Sequence, residues 1–270
     1  MKADLHVHTI HSDGVCYVGE IIELAKKRGL AAVAVTDHDV LQGALEAEKL
    51  STQELKVIVG LELSTEYKGE SVHILGYFKD GSGLEAFERF LAAQRKNRLK
   101  RAYKIRDRLA EHFNIDLDMG FAQEAASVTR GTIAREIISQ GHPYTQEEIF
   151  EKMLGNGRAA YIPSTKMDPE TGIRKIHEFG GLAVLAHPVL LKNSEPEEII
   201  VFGIDGIEAI YPANTSGDEE RFRRLASRHG LFITGGSDFH APGDSQHGEL
   251  AEFVLSGRDL EIFFERLGFD

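Results

Sequence analysis

Seven short apolar runs in this chain have the length and composition of β-strands, and most of them end in a histidine or a carboxylate. They are predicted at residues 3–7, 31–35, 57–61, 72–76, 182–185, 206–209 and 231–234. Amphipathic segments at residues 18–28 and 41–50 lie between them, and a final helix is predicted at 260–267. Strand–helix–strand alternation predicts a parallel sheet with its functional groups at the carboxyl ends of the strands. The chain is therefore expected to form an α/β barrel.

The middle of the chain interrupts this alternation. Helical segments are predicted there at residues 84–112, 132–139 and 146–153. No run between them has the pattern of a strand, so residues 84–163 are predicted to be an all-helical insertion. The barrel domain would then consist of residues 1–83 and 164–270, with the insertion as a helical cap domain.

Composition and charge exclude several classes of protein. The chain has 270 residues, 42% of them hydrophobic, which is enough to bury the core of a barrel-sized domain. Its single cysteine, Cys16, excludes an intramolecular disulfide and a cysteine-rich zinc module, and we expect it to be a packing residue. No apolar run fits a membrane span and no leader precedes the first strand, so a cytoplasmic protein without membrane contact is expected. The net charge of -12 argues against binding of long duplex nucleic acid.

Two short motifs at opposite ends of the chain predict a metal site. His6 and His8 lie two residues apart in the first strand, so both side chains point to the same face and present two imidazoles to one ion. Asp13 follows in a loop that can return its carboxylate to the same mouth. Asp238 and His240 repeat the two-residue spacing after a pair of glycines that would let the backbone approach an ion.

Nine candidate metal ligands lie at the ends of predicted strands. They are His6, His8, Asp13, His38, Glu62, His73, His187, Asp238 and His240. One ion takes about four to six ligands, so this set indicates two or three divalent ions. The other six histidines lack such a position, although two of them, His11 and His247, fall near the mouth. These six, to which we assign no role, are His11, His112, His142, His177, His229 and His247.

The predicted insertion carries an unusual concentration of positive charge. Between Arg89 and Arg108 there are nine lysines or arginines and one acid, Asp107. Arg95, Arg98 and Arg101 follow one another at three-residue spacing, so one helix face could offer guanidinium groups to phosphate oxygens. The alternative interpretation is an ordinary solvated helix face, and the sequence alone leaves both open.

Together these motifs resemble the PHP (polymerase and histidinol phosphatase) superfamily over the whole length of the chain. They are Asp4-Leu5-His6-Val7-His8, Ser12-Asp13-Gly14, Thr36-Asp37-His38-Asp39, Gly60-Leu61-Glu62-Leu63-Ser64, His73-Ile74-Leu75-Gly76-Tyr77, Ala186-His187-Pro188 and Gly236-Ser237-Asp238-Phe239-His240. Within the superfamily, Arg95-Lys96-Asn97-Arg98 and Val128-Thr129-Arg130-Gly131 are similar to a branch of small metal-dependent phosphoesterases. That branch acts on 5′-phosphorylated nucleosides and short oligonucleotides.

The resemblance implies a distorted seven-stranded β/α barrel with a trinuclear site of Mn, Fe or Zn. It divides the ligands into three sets: His6, His8, Glu62 and Asp238; Asp13, His38 and His240; and Glu62, His73 and His187. It implies catalytic roles for Asp13, His38, Glu62, Asp238 and His240, and substrate-binding roles for Arg95, Arg98 and Arg130. One position departs from the pattern, because relatives often carry histidine where this chain has Thr132, which cannot act as a cation or as a general acid near neutral pH.

The predicted function is hydrolysis of phosphate esters of 5′-nucleotides or short 5′-phosphorylated oligonucleotides by a metal-bound hydroxide. Two other readings stay open at this point. An enzyme of the same fold could dephosphorylate a small non-nucleotide such as histidinol phosphate. A non-catalytic metal-binding regulatory domain is the second, although such a domain would be expected to have lost ligands.

Overall fold

A computed structural model describes residues 1–124 and 128–269, and the strands among them form a single eight-stranded sheet. The strands are β1 (Lys2–Val7), β2 (Ala32–Val35), β3 (Lys56–Tyr67), β4 (Glu70–Phe78), β5 (Leu182–Leu185), β6 (Gly206–Ile210), β7 (Phe232–Gly235) and β8 (Leu255–Ser256). Their order in the sheet is β7-β6-β5-β4-β3-β2-β1-β8. Each of the seven predicted runs overlaps one of these strands, and only the two-residue β8 had no counterpart in the prediction.

The sheet is mixed, so the predicted parallel arrangement is wrong around β4. Strands β1, β2 and β3 are parallel to one another, as are β5, β6 and β7. Strand β4 runs antiparallel to both β3 and β5, and β8 runs antiparallel to β1. The reason is the connection between β3 and β4, which is a two-residue turn rather than a helix. Its residues Lys68 and Gly69 both have positive φ, as a tight hairpin turn requires.

The two ends of the sheet approach each other and make it barrel-like. Val7, at the end of β1, forms a parallel bridge with Phe239, which follows β7. The His8 N–H donates to the Phe239 carbonyl oxygen over 2.9 Å, and the Phe239 N–H donates to the His6 carbonyl oxygen over 3.3 Å. The sheet is therefore nearly closed, and this seam lies between the two sequence motifs that predicted the metal site.

The chain divides into two compact units. The first is Met1–Arg89 with Met167–Asp270, and the second is Phe90–Lys166. Helices of the first unit are α1 (Val18–Lys27), α2 (Gln42–Glu48), α7 (Pro169–Glu178), α8 (Pro196–Ile200), α9 (Asp218–His229) and α10 (Gly257–Leu267). They have apolar faces: α1 buries Val18, Ile21, Ile22 and Ala25. The strands are buried almost throughout, as expected for a sheet covered by helices.

The second unit has a hydrophobic core of its own. Helix α3 (Glu85–Phe113) crosses the boundary between the units and is followed by α4 (Phe121–Glu124), α5 (Arg130–Ser139), α6 (Gln146–Ile149) and a π-helical turn (Phe150–Leu154). Residues such as Ile105, Leu109, Ile133, Ile137 and Ile149 form its buried cluster. Among the described residues of this unit no strand is assigned.

Among the residues that the structure describes, no helix combines the length and the apolar character needed to cross a membrane.

Candidate metal centre

Strand β1 supplies the two imidazoles at the centre of the site. His6 and His8 are both fully buried, and their Nε2 atoms face the same two carboxylates. Asp238 Oδ1 lies 3.2 Å from His6 Nε2 and 3.1 Å from His8 Nε2. Glu62 Oε2 lies 3.4 Å and 3.3 Å from the same two nitrogens. Two strand motifs from opposite ends of the chain and one carboxylate from β3 thus meet around a single point.

The donor atoms around this point fit a bound cation. Three of them, His6 Nε2, His8 Nε2 and Asp238 Oδ1, are buried and have no hydrogen-bond partner among the described residues. A buried polar atom left without a partner is costly, and a metal ion would satisfy all three at once. Ligands about 2.1 Å from one ion in a tetrahedron are about 3.4 Å apart, close to the distances observed here. His6, His8, Glu62 and Asp238 can therefore hold a divalent ion.

A second group of donors surrounds Asp13. Its Oδ1 lies 3.5 Å from His8 Nδ1 and 3.3 Å from His240 Nε2, and its Oδ2 lies 3.6 Å from His38 Nε2. The Asp13 side chain is half exposed, whereas His38 and His240 are mostly buried. His8, Asp13, His38 and His240 can hold an ion together, on the open side of the cluster.

Glu62 connects these donors to a third group. Its Oε2 lies 3.0 Å from His38 Nδ1, and its Oε1 lies 2.8 Å from His73 Nδ1 and 2.9 Å from His187 Nε2. His38, Glu62 and His73 can hold an ion, with His187 beside them. With its contacts to His6 and His8, the Glu62 carboxylate is within 3.4 Å of five imidazoles.

All nine predicted ligands therefore lie in one cluster, but the strand-end rule placed two of them wrongly. Glu62 lies in the middle of β3, and His73 lies inside β4. They still reach the cluster because β3 continues past its parallel pairing with β2 into the β3–β4 hairpin. Glu62 remains beside His38 through a parallel bridge between the two residues.

Burial and ion pairing act in opposite directions on the charges of the cluster. Burial by itself lowers the pKa of His8, but the negative charges of Asp238 and Glu62 beside its ring raise that pKa to about 10. Burial raises the pKa of a carboxyl group, yet the surrounding imidazoles hold the pKa of Glu62 well below its usual range. At His73 burial prevails over the Glu62 charge and lowers the pKa to about 4. Without metal, protons on imidazoles such as His8 balance the carboxylates.

Several supporting residues were missed by the sequence reading. Glu208, in β6, is fully buried and its Oε1 lies 2.9 Å from His6 Nδ1. The Tyr211 hydroxyl donates to Asp238 Oδ2 over 2.8 Å. The signal for Glu208 was present in the sequence, because an acid inside an otherwise apolar strand needs a buried partner.

A chain of hydrogen bonds also holds the His8 ring at its Nδ1 atom. The Ser12 hydroxyl lies 3.2 Å from His8 Nδ1 and donates to Asp37 Oδ1 over 2.7 Å. Asp37 accepts in addition from the Thr9 N–H and the Thr9 hydroxyl, over 2.7 and 2.8 Å. The loop after β1 is thus tied to the end of β2, which fixes the loop that carries Asp13.

His247, to which the sequence assigned no role, lies at the cluster. Its ring stacks on His240 with centroids 4.1 Å apart, and its Nε2 lies 3.8 Å from Asp238 Oδ2. Its Nδ1 lies 2.6 Å from Asp244 Oδ2. His247 can hold an ion together with Asp238 and His240. His11 instead bonds Glu46 over 3.0 Å.

The backbone at the cluster is unusual. Asp39, His187 and Asp238 have positive φ values of 55°, 27° and 51°, a conformation that costs side-chain-bearing residues about 1–3 kcal/mol each and often occurs at functional sites. Gly236 allows a close approach of its backbone to β1. A Cβ there would lie 2.4 Å from the His6 Cβ, so only glycine lets the two motifs meet.

The predicted substrate-binding arginines belong to the second unit. Arg98 is only 6% exposed, and Arg95 is partly buried. Arg130 Nη1 donates to the Leu154 carbonyl oxygen over 3.2 Å and to Asn156 Oδ1 over 3.3 Å. A role of these arginines in substrate binding stays a prediction.

Two further residues of the second unit have structural roles. Arg101 donates from Nε to the carbonyl oxygens of Ile162 and Pro163, over 3.1 and 2.8 Å. Thr129 caps α5 and Thr132 completes the capping box: the Thr132 N–H donates to Thr129 Oγ1 over 3.0 Å, and the Thr132 hydroxyl accepts from the Thr129 N–H over 3.4 Å. The threonine that departs from the expected histidine thus stabilises the helix start.

Several known proteins are similar to this chain in sequence. The family model described as PHP domain matches residues 4–154, more than half of the chain. The chain belongs to the PHP family. A 5'-3' exoribonuclease of Haemophilus influenzae is 32% identical over 250 residues, covering 89% of this chain and 90% of the relative. A 3',5'-nucleoside bisphosphate phosphatase of Chromobacterium violaceum is 32% identical over 256 residues, with 89% and 88% covered.

A solved PHP-like structure agrees with these sequence relatives. A Bifidobacterium adolescentis protein assigned as a metal-dependent phosphoesterase has 30% sequence identity and a TM-score of 0.74, covering 99% of this chain and 96% of that one. With the metal-binding cluster, these matches make the PHP protein a metal-dependent hydrolase of phosphate esters.

Proposed function

We propose that this PHP enzyme hydrolyses phosphate esters of 5′-nucleotides or short 5′-phosphorylated oligonucleotides at a cluster of two or three divalent ions. The observation that carries the proposal is the group of unpartnered buried atoms, His6 Nε2, His8 Nε2 and Asp238 Oδ1, around one point. The names of the two curated relatives, an exoribonuclease and a nucleoside bisphosphate phosphatase, support nucleotide-like substrates.

The residues fall into three proposed ligand sets. His6, His8, Glu62 and Asp238 would hold the most buried ion; Asp13, His38 and His240 a second; and Glu62, His73 and His187 a third. When bound, such ions lower the pKa of water toward ~7 and neutralise charge on phosphoryl oxygens. Manganese, iron and zinc all suit imidazole and carboxylate donors.

The cluster is buried on one side and open to solvent on the other. His6, His8 and Glu62 are fully buried, whereas half of the Asp13 side chain is exposed. Substrate would therefore enter from the side of Asp13 and His240. Glu62 would hold the ligand sets together, because its two oxygens face different imidazoles.

The second unit is the proposed source of substrate contacts. We propose that residues 84–163 form a helical cap domain on a distorted seven-stranded barrel, and that Arg95, Arg98 and Arg130 bind phosphate groups of the substrate. The excess of nine basic residues over one acid between Arg89 and Arg108 supports this in a chain of net charge -12.

A substrate panel tests the proposed function. Purified enzyme with added manganese would be assayed for phosphate release from AMP, adenosine 3′,5′-bisphosphate and histidinol phosphate, and for release of phosphate or mononucleotides from a short 5′-phosphorylated RNA. We expect kcat/KM for at least one nucleotide substrate to exceed that for histidinol phosphate by more than tenfold. The reverse order would replace the nucleotide assignment by the non-nucleotide one. Activity that persists in a His8→Ala preparation would place the catalytic centre outside the metal cluster.

A further inference from the structure

We propose that Glu208 is a positioning residue for two of the metal ligands, and that it fixes the tautomer of His6. The inference rests on the proposed metal cluster, since it concerns how that cluster is held. Glu208 lies in the middle of β6 (Gly206–Ile210), and it is fully buried inside the barrel-like sheet. Nothing in the sequence reading or in the names of the relatives assigns a role to it.

The two carboxylate oxygens of Glu208 contact two different ligands. Oε1 lies 2.9 Å from His6 Nδ1, and Oε2 accepts a hydrogen bond from the His187 N–H over 2.8 Å. A backbone N–H can only donate, so Oε2 must be an acceptor. An ionised carboxylate is an acceptor on both sides, and Oε1 therefore requires the His6 proton to be on Nδ1.

This tautomer leaves the other His6 nitrogen available to a cation. Nε2 faces Asp238 Oδ1 at 3.2 Å and Glu62 Oε2 at 3.4 Å, and it has no hydrogen-bond partner among the described residues. An imidazole that donates one N–H to a carboxylate and offers the opposite nitrogen to a metal is a common arrangement, which also raises ligand basicity. Glu208 would supply that carboxylate for His6.

At His187, Glu208 acts on the backbone. The residue has φ 27° and ψ 61°, a conformation that is unfavourable for a residue with a Cβ. The hydrogen bond from its N–H to Glu208 Oε2 helps to hold this conformation, and the ring then places Nε2 2.9 Å from Glu62 Oε1. One carboxylate thus orients ligands that belong to two different ligand sets.

Replacing Glu208 by glutamine makes the idea testable with almost no change in shape. In Glu208→Gln the amide oxygen must still face the His187 N–H, so the amide NH₂ is turned toward His6 Nδ1. A donor there requires Nδ1 to be an acceptor, which transfers the ring proton to Nε2, the atom that should bind metal. The substitution therefore inverts the tautomer rather than opening a cavity.

Asp205→Asn is the matched control. Asp205, one residue before β6, also joins an imidazole to a backbone N–H: its Oδ2 lies 2.8 Å from His177 Nε2 and accepts from the Ala183 N–H over 2.8 Å. His177 is not among the groups that can hold a metal ion. The control thus removes the same kind of carboxylate–histidine pair without touching the cluster.

The experiment measures metal binding directly. Zinc affinity and stoichiometry of wild type, Glu208→Gln and Asp205→Asn would be determined by competition with a chelator, and the histidine ring tautomers by ¹⁵N NMR of the zinc-loaded proteins. We expect Glu208→Gln to bind zinc about ten- to a hundredfold more weakly than wild type, and Asp205→Asn to stay within twofold. The ring signal of His6, identified by its loss in His6→Gln, should show a protonated Nδ1 and a zinc-bound Nε2 in wild type and Asp205→Asn. Only in Glu208→Gln should it show a protonated Nε2 that has left the zinc.

Several outcomes would overturn the inference. Equal affinity and an unchanged His6 tautomer in Glu208→Gln would do so while leaving the proposed function intact, whereas a wild-type protein that binds no zinc, manganese or iron would remove the proposed function itself. If Glu208→Gln does not fold, Glu208→Asp is measured instead. It should bind zinc at least fivefold more weakly than Asp205→Asn, and equal binding would contradict the proposal.

Discussion

Asp238 Oδ1 lies 3.1 Å from His8 Nε2, and neither atom has a hydrogen-bond partner among the described residues. Two buried polar atoms that face each other without a hydrogen bond fit a cation that both of them bind. We expect the purified protein to carry more than one tightly bound divalent ion per chain. Elemental analysis after reconstitution with manganese, iron or zinc measures this. A content that stays at or below one ion would contradict a multinuclear cluster.

The same pair should be indispensable for hydrolysis. Asp238→Asn and His8→Ala each remove a donor from the central group, and we expect phosphatase activity to fall by at least about a hundredfold, since bound metal supplies several kcal/mol of transition-state stabilisation. Exposed residues of the same types give the controls, Asp116→Asn and His229→Ala, which should stay within twofold. Circular dichroism should show that all four variants are folded. Full activity in either cluster variant would place the catalytic centre elsewhere.

The arginines of the second unit separate a nucleotide enzyme from a generic phosphatase. If Arg98 and Arg130 hold a part of the nucleotide beyond the reacting phosphate, alanine at either position should lower kcat/KM for AMP or short RNA about ten- to a hundredfold. Such a loss corresponds to charge-assisted bonds of about 1.5–3 kcal/mol. Hydrolysis of p-nitrophenyl phosphate should change little.

Arg106→Ala is the control for this pair, because Arg106 lies in the same helix as Arg98 and is paired with Asp107. Melting curves are needed as well, since Arg130 also bonds the Leu154 carbonyl oxygen within its own unit. Equal losses on both substrates would assign the arginines to the reacting phosphate. No change beyond twofold on any substrate would leave them as structural residues of the helical unit.

Metal and protons should compete for His8. A rise in pH should therefore lower the stability of the metal-free protein and raise its affinity for zinc. The folded-state pKa of His8 is raised to about 10, above the ordinary 6.5, so its protonation stabilises the metal-free fold fully below pH 6.5. That contribution is lost as pH rises toward 10. Zinc needs the neutral imidazole, so its affinity should rise over the same range and binding should release protons.

Thermal unfolding of chelator-treated protein and zinc titrations in buffers of different ionisation enthalpy, both between pH 6.5 and 8.5, measure these two trends. In His8→Gln both should become flatter. A metal-free protein that becomes more stable as pH rises through this interval would contradict the direction argued here.

His247 should contribute to metal retention. Its Nδ1 lies 2.6 Å from Asp244 Oδ2, which leaves Nε2 directed toward Asp238. We expect His247→Ala to weaken binding of the most labile ion by about tenfold, the lower end of the range seen for supporting residues. His11→Ala, which breaks only a contact with Glu46, is the control. Unchanged metal affinity together with a raised KM would assign His247 to substrate binding instead.

Much of this cluster was predictable because strand periodicity and the ends of parallel strands are local properties of a sequence. His6, His8 and His38 follow that logic directly. Glu62, however, lies inside a strand. It reaches the cluster because β3 continues beyond its pairing with β2 and forms a hairpin with β4. The hairpin was missed because Lys68-Gly69 is a short signal, and the strand–helix–strand alternation before it suggested a parallel sheet throughout. Sequence spacing also could not show that Gly236 packs against β1.

Local sequence patterns could not predict the role of residues whose contacts are set by the tertiary fold. His247 follows no strand, and only the fold of the loop after His240 brings its ring against that residue. The basic segment between Arg89 and Arg108 was recognised by charge, but charge alone could not show that Arg101 holds the carbonyl oxygens of Ile162 and Pro163.

The seam where Val7 meets Phe239 has a mechanical consequence. It is held by a few backbone hydrogen bonds, and the side chains on either side of it are His6 and His8 on one edge and Asp238 and His240 on the other. An ion bound by both His8 and Asp238 would cross-link β1 to the segment that follows β7. Metal binding should therefore slow hydrogen exchange at the His8 and Phe239 amides far more than at the amides between β2 and β3. Removal of the metal should open the sheet first between Val7 and Phe239.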